Sequence, residues 1–183
     1  MLYRRFPLVP GAALSEPGGP LFVPILDQGD GRHDNPDAYG ALYLSRSPVS
    51  PVAEMLVRLR NVALRPDHLL SEGFPYALAA FDEADVSLLD LDDPANLVAR
   101  ELRPSGVATR QRDETRPVAL RLYEEGHAGF EWWSTIEASW INVTVFAERA
   151  ASRLTLAGTP EPLTLDHPVV REAADAVGVL VGG

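Results

Sequence analysis

A chain of 183 residues suits one domain, and 46% hydrophobic against 23% charged residues is the composition of a protein that buries a core, not of a disordered one. There is no cysteine, which excludes disulfides, thiolate metal sites and a cysteine nucleophile. The formal net charge of −10 repels nucleic acid, and no run of basic residues supplies a local exception, so a polyanionic substrate would be met by individual arginines in loops.

In chain order, the N-terminal Met1-Leu-Tyr-Arg-Arg-Phe-Pro has an Arg pair before a short apolar run, but prolines interrupt that run and it does not read as a signal peptide. No stretch approaches the roughly 18 apolar residues of a membrane helix. A cytoplasmic protein is expected, and the Asn142-Val-Thr144 glycosylation pattern is then chance. Residues 15–20 read as a turn, Leu21 to Leu26 as a strand, Asp27 to Gly40 as a polar loop and Ala41 to Leu44 as a short strand. A helix then opens with Ser50 as N-cap and Pro51 at its first position, with Val52, Met55, Leu56, Leu59 and Val62 at helical spacing.

Tyr76 to Phe81 and Val86 to Leu91 read as strands, and Asp93-Pro94 caps a short helix to about Leu102. A second helix spans about Asp113 to Glu125 and stops at Gly126. Phe130 to Ile136 and Ile141 to Phe146 are rich in β-branched and aromatic residues and read as strands, while Arg153 to Leu156 and Pro162 to Leu165 are candidate edge strands. Asp166-His-Pro begins a last helix. Strands and helices mix without regular β-α alternation, which predicts a single-domain α+β fold over residues 1–183 with a mostly antiparallel or mixed sheet.

Local motifs are few. There is no G-x-S-x-G, phosphate loop, H-E-x-x-H or dinucleotide glycine pattern, and His33, His68, His127 and His167 lack metal-ligand spacing, so no metal is expected. Asp90-Leu-Asp-Asp93 reads as a strand end followed by a helix N-cap.

Two segments carry a resemblance. The first is Gly31-Arg-His-Asp-Asn-Pro36 with Tyr39-Gly-Ala-Leu-Tyr-Leu-Ser45 and Pro51-Val-Ala-Glu54; the second is Gly129-Phe-Glu-Trp-Trp-Ser-Thr135 through Ile141-Asn-Val-Thr-Val-Phe146. Over about residues 20–147 the chain resembles the RES domain family, named for an Arg, a Glu and a Ser that occur here in the same order. His33 stands where the family commonly has an aromatic residue, and one extra residue separates Arg32 from Asn35.

The resemblance implies a fold like that of the ADP-ribosyltransferases, NAD⁺ as substrate and, in many members, a toxin paired with an Xre-like antitoxin. Carried over by position, it implies Arg32, Glu54 and Ser134 as catalytic residues and Arg32, Tyr43, Ser134 and Asn142 as NAD⁺-binding residues. The residue chemistry suits the assignment. A carboxylate such as Glu54 stabilises positive charge developing on a ribose, and a guanidinium such as Arg32 forks onto a diphosphate. Tyr43 offers an aromatic wall for nicotinamide, with Tyr39 as its rival, and Ser134 a hydroxyl for an amide or ribose. Plainer readings stand beside these: Glu54 as an acid favoured in the first turn of its helix, Arg32 as a solvated loop cation, and Trp132, Trp133 and Trp140 as core. The implied reaction is cleavage of the nicotinamide–ribose bond by phosphorolysis or hydrolysis. A non-catalytic nucleotide- or protein-binding module and a protein ADP-ribosyltransferase are the alternatives.

Overall fold

A computed structural model describes residues 1–83 and 86–182. In chain order its elements are β1 (Leu2–Pro7), β2 (Ala41–Ser45), α1 (Ser50–Leu56), β3 (Leu70–Ser71), β4 (Phe74–Asp82), β5 (Leu89–Asp90), α2 (Pro94–Ala99), α3 (Pro104–Val107) and α4 (Arg112–Glu124). They continue with β6 (Gly129–Trp133), β7 (Ile141–Phe146), α5 (Ala147–Ala150), β8 (Thr155–Leu156), β9 (Glu161–Pro162) and α6 (Pro168–Val177). The α+β reading holds. Among the described residues no helix is long and apolar enough to cross a membrane.

Several boundaries differ from the sequence expectation. Residues 21–26 form no strand: Pro20 and Pro24 withhold ladder donors, and the chain makes a 3-10 turn at Ile25–Asp27. Ser50 is the first residue of α1, not its cap; Val49 holds that position and no side chain caps the end. The α-helix ends at Leu56 and tightens into a 3-10 turn at Val57–Leu59, so Val62 lies outside it, exposed. The strand expected over 86–91 is only β5, and β6 stops at Trp133 instead of Ile136. Helix α2 ends at Ala99, short of Leu102, with Arg100 as C-cap. Residues 151–153 are a 3-10 turn, leaving β8 and β9 as two-residue strands. His167 caps α6, its Nδ1 accepting from Val169 N at 3.2 Å.

The chain forms two compact units. The first comprises Met1–Phe22, Ser45–Asp82 and the chain from Leu156 onward. Its strands run β3-β4-β1, all antiparallel, with Leu2 opposite Phe81 and Pro7 opposite Tyr76. The β3–β4 hairpin turns at Glu72-Gly73, both at positive φ (51° and 86°), the arrangement that matches strand twist. Strand β1 carries two arginines, and Arg4 satisfies its guanidinium on the carbonyls of Pro20 (2.6 Å) and Phe22 (2.8 Å). Helices α1 and α6 pack together, and Val52, Ala53 and Leu56 of the first and Val170, Ala173 and Val177 of the second are buried.

The second unit comprises Val23–Leu44 and Glu83–Thr155. Its strands run β2-β7-β6-β5, a mixed sheet in which β6 and β7 are antiparallel and β5 and β6 parallel. Register places Trp132 opposite Asn142 and Phe130 opposite Thr144 on one face. That face is closed by Leu97 of α2 and by Ala119 and Leu122 of α4, all in one buried cluster with Phe130, Trp132 and Phe146. Each such large apolar side chain contributes about 1.5–3 kcal/mol on burial, so this cluster is the floor on which the loop before β2 is built.

Candidate functional site

Gly29 to Tyr39 forms a loop tied down at almost every residue. Asp34 is buried, and a buried carboxylate needs donors. Its Oδ2 accepts from Gly29 N (3.0 Å) and Gly31 N (2.6 Å), and its Oδ1 from the Tyr43 hydroxyl (2.6 Å). The same Tyr43 oxygen accepts from His33 N at 3.0 Å. Burial first, and then the hydrogen bond to Asp34, push the Tyr43 phenol well above its ordinary range. Tyr39 donates to the His33 carbonyl (2.7 Å) and accepts from Asn35 Nδ2 (2.7 Å), and burial raises its phenol too. Helix α4 braces the loop from outside: the Thr115 hydroxyl donates to the Arg32 carbonyl, and Arg116 donates to the carbonyls of Gly29 and Gly31. Gly31 is required by space, since a Cβ there would strike the Asp34 carboxylate and the Tyr43 hydroxyl.

His33 points into the sheet face. It is buried, its ring 4.8 Å from Phe130 and 4.9 Å from Trp132, edge-on to both. Its Nδ1 lies 2.7 Å from Thr144 Oγ1, which also accepts from Trp132 Nε1 at 3.2 Å. Burial, aided by the neighbouring Arg32 charge, pushes the imidazole down to about 3, so it is neutral near pH 7.

Arg32 turns the other way and is half-buried. Its Nη1 donates to the Thr109 carbonyl and its Nη2 to Thr135 Oγ1 at 2.8 Å, with Cζ 5.3 Å from the centre of the Trp132 ring. Ser134 is the first residue beyond β6, not a strand residue, and is buried. Its N donates to Trp140 O (2.8 Å) and its Oγ accepts from Ile136 N (3.1 Å), closing the turn that carries Thr135. Asn142 is buried on β7, opposite Trp132. Arg32, Tyr43, Ser134 and Asn142 thus belong to the second unit, around the Trp132–Thr144 face.

Glu54 belongs to the first unit. It is exposed and is the fifth residue of α1, so the expectation that it sits in the first turn is corrected: the helix begins at Ser50 and its first turn holds no acid. Beside it, Arg5 donates from Nε to Pro51 O at 3.1 Å and stacks 4.4 Å from the Tyr76 ring centre. Burial lowers the Arg5 pKa, and the nearby Tyr76 and Glu54 oppose that shift. Asp90 ends β5 and Asp93 caps α2, accepting from Ala95 N at 2.9 Å, as expected.

Sequence reasoning did not assign Asp34, Thr115, Arg116, Thr135 or Thr144. Asp34, Thr135 and Thr144 lie inside the two motifs, Thr135 next to Ser134 and the others two residues from Arg32 and Asn142. Thr115 and Arg116 lie outside both motifs and are brought in only by tertiary folding.

No curated protein matches the chain. In fold it is similar to a chain in the crystal structure of the M.tuberculosis MbcT-MbcA toxin-antitoxin complex, with a TM-score of 0.65, 19% sequence identity, and coverage of 97% of this chain and 88% of that one. The family model described as RES domain matches residues 12–166, a longer span than the 20–147 read from motifs. The match takes in Arg32, Glu54 and Ser134, and the chain belongs to the RES domain family.

Proposed function

We propose that this protein consumes NAD⁺, cleaving the nicotinamide–ribose bond, and that it is the toxin of a toxin–antitoxin pair whose Xre-like antitoxin protein inhibits it. The observation that supports this reading most is that the family's arginine and the turn built by its serine meet: Arg32 bonds Thr135, next to Ser134, although 103 residues separate them. Family membership and the fold shared with a chain of a toxin–antitoxin complex support the toxin assignment.

In this reading the Arg32 guanidinium takes the diphosphate. Ser134, whose oxygen accepts in the turn, can still donate its proton to the nicotinamide amide or a ribose hydroxyl, and Asn142 offers a second amide partner. The Tyr43 hydroxyl is engaged by Asp34 and His33, so its contribution is its ring. As the C–N bond to nicotinamide breaks, its electron pair leaves with nicotinamide and positive charge builds on the ribose; the Glu54 carboxylate stabilises that charge. Phosphate or water then bonds to the anomeric carbon and yields the ADP-ribosyl product.

One observation favours the second reading, a nucleotide- or protein-binding module without turnover: Arg32 already donates to two protein acceptors. Incubation of the protein with NAD⁺ labelled in the adenylate, with and without phosphate, separates the possibilities. Phosphate-dependent nicotinamide release indicates phosphorolysis, phosphate-independent release hydrolysis, and label retained on polypeptide a protein ADP-ribosyltransferase. Binding without release supports the module.

A further inference from the structure

The geometry points to Thr135 as the positioning residue that aims the Arg32 guanidinium, an inference that rests on reading Arg32 as the ligand of the substrate's anionic group. An arginine side chain carries about 2 kcal/mol of rotamer entropy, so a loop arginine binds an anion well only if its plane is fixed beforehand. Here three parts of the second unit fix it. The Thr109 carbonyl takes Nη1 and the Thr135 hydroxyl takes Nη2 at 2.8 Å. The Trp132 ring lies against the guanidinium at 5.3 Å and is itself held by Nε1 donating to Thr144 Oγ1 at 3.2 Å. Acceptors from two different loops on the two amino groups stop rotation of the plane.

Of these supports, the Thr135 hydroxyl is the one side-chain acceptor, and the turn does not need it. That turn is closed by Ser134 N donating to Trp140 O and by Ile136 N donating to Ser134 Oγ. A Thr135→Val substitution therefore removes the tether to Arg32 while keeping the side chain's shape and the turn. The pair of adjacent residues divides the work: Ser134 builds the turn and Thr135 orients the arginine.

The test measures NAD⁺ cleavage by the full chain carrying Thr135→Val, Thr135→Ser, Arg32→Lys, and Thr135→Val with Arg32→Lys. It also measures the Nε–Hε NMR signal of Arg32, identified by its loss in Arg32→Lys. A hydrogen bond to a charged group corresponds to roughly tenfold in affinity. Thr135→Val is expected to raise KM for NAD⁺ about tenfold with kcat little changed, as for an interaction equal in ground and transition states. Thr135→Ser retains the wild-type KM, and in the Arg32→Lys background Thr135→Val adds less than about twofold, since its partner is gone. The Arg32 signal is sharp in wild type and Thr135→Ser and averaged in Thr135→Val. A wild-type KM and an unchanged Arg32 signal in Thr135→Val would overturn the inference, as would a tenfold loss that persists in full beside Arg32→Lys. If the wild-type protein neither binds nor cleaves NAD⁺, the functional reading fails, and the Arg32 signal alone then decides whether Thr135 orients the arginine.

Discussion

Tyr43 donates its phenolic proton to Asp34 Oδ1 across 2.6 Å while accepting from His33 N, and this pairing sets the shape of the loop that presents Arg32. Tyr43→Phe leaves the His33 amide without that acceptor and takes one of three donors from a buried carboxylate. An unsatisfied buried polar group costs about 1–3 kcal/mol, so urea unfolding is expected to show a loss of that size. Unchanged stability would mean that water replaces the hydroxyl and that the loop does not depend on it.

Gly31→Ala tests the same packing from the other side. The added methyl meets the Asp34 carboxylate and the Tyr43 hydroxyl, and overpacking of this kind costs typically about 1–3 kcal/mol. The unfolding midpoint falls, and combining Gly31→Ala with Tyr43→Phe costs less than the two changes separately, because the phenylalanine removes one of the clashing atoms.

His33 gives a pH signature. Its folded pKa, about 3, lies below its ordinary value of 6.5, so the unfolded chain binds the proton more readily. Stability from this group is complete above pH 6.5 and is lost as pH falls toward 3, with a slope of up to about 1.4 kcal/mol per pH unit. Denaturation between pH 7 and pH 4.5 is expected to show the decline, and a His33→Phe variant to flatten it over that window.

Thr144 joins the imidazole and the indole, and Thr144→Val leaves Trp132 Nε1 and His33 Nδ1 without that partner on a buried face. We expect a loss of about 1–3 kcal/mol and a change in Trp132 fluorescence. A neutral result would mean that the two rings are held by packing alone.

How far the sequence revealed the molecule depended on how local each signal was. β7 is read correctly from Ile141 to Phe146 because β-branched and aromatic residues dominate it, and α6 because its apolar residues recur at helical spacing before Gly178. β1 is missed because Arg4 and Arg5 break its pattern; the Pro20 and Phe22 carbonyls that satisfy Arg4 lie 16 and 18 residues away. The false strand at 21–26 shows apolar content overridden by two prolines. At the site, the order Arg32, Glu54, Ser134 was legible as a family pattern. That Ser134 closes a turn and Thr135 meets Arg32 was not, since the pairing spans 103 residues and exists only once β6 and the Arg32 loop share a sheet face.

In the proposed reaction Glu54 acts on the ribose of NAD⁺. Its most direct test is nicotinamide release by wild type and by Glu54→Ala, followed chromatographically with folding verified by circular dichroism. Glu54 is exposed, so the variant is expected to fold. Loss of a group that stabilises transition-state charge typically costs about 10²–10³ in rate, and the account predicts a fall of that order. A folded wild-type protein that releases no nicotinamide, or a Glu54→Ala variant as fast as wild type, would contradict it.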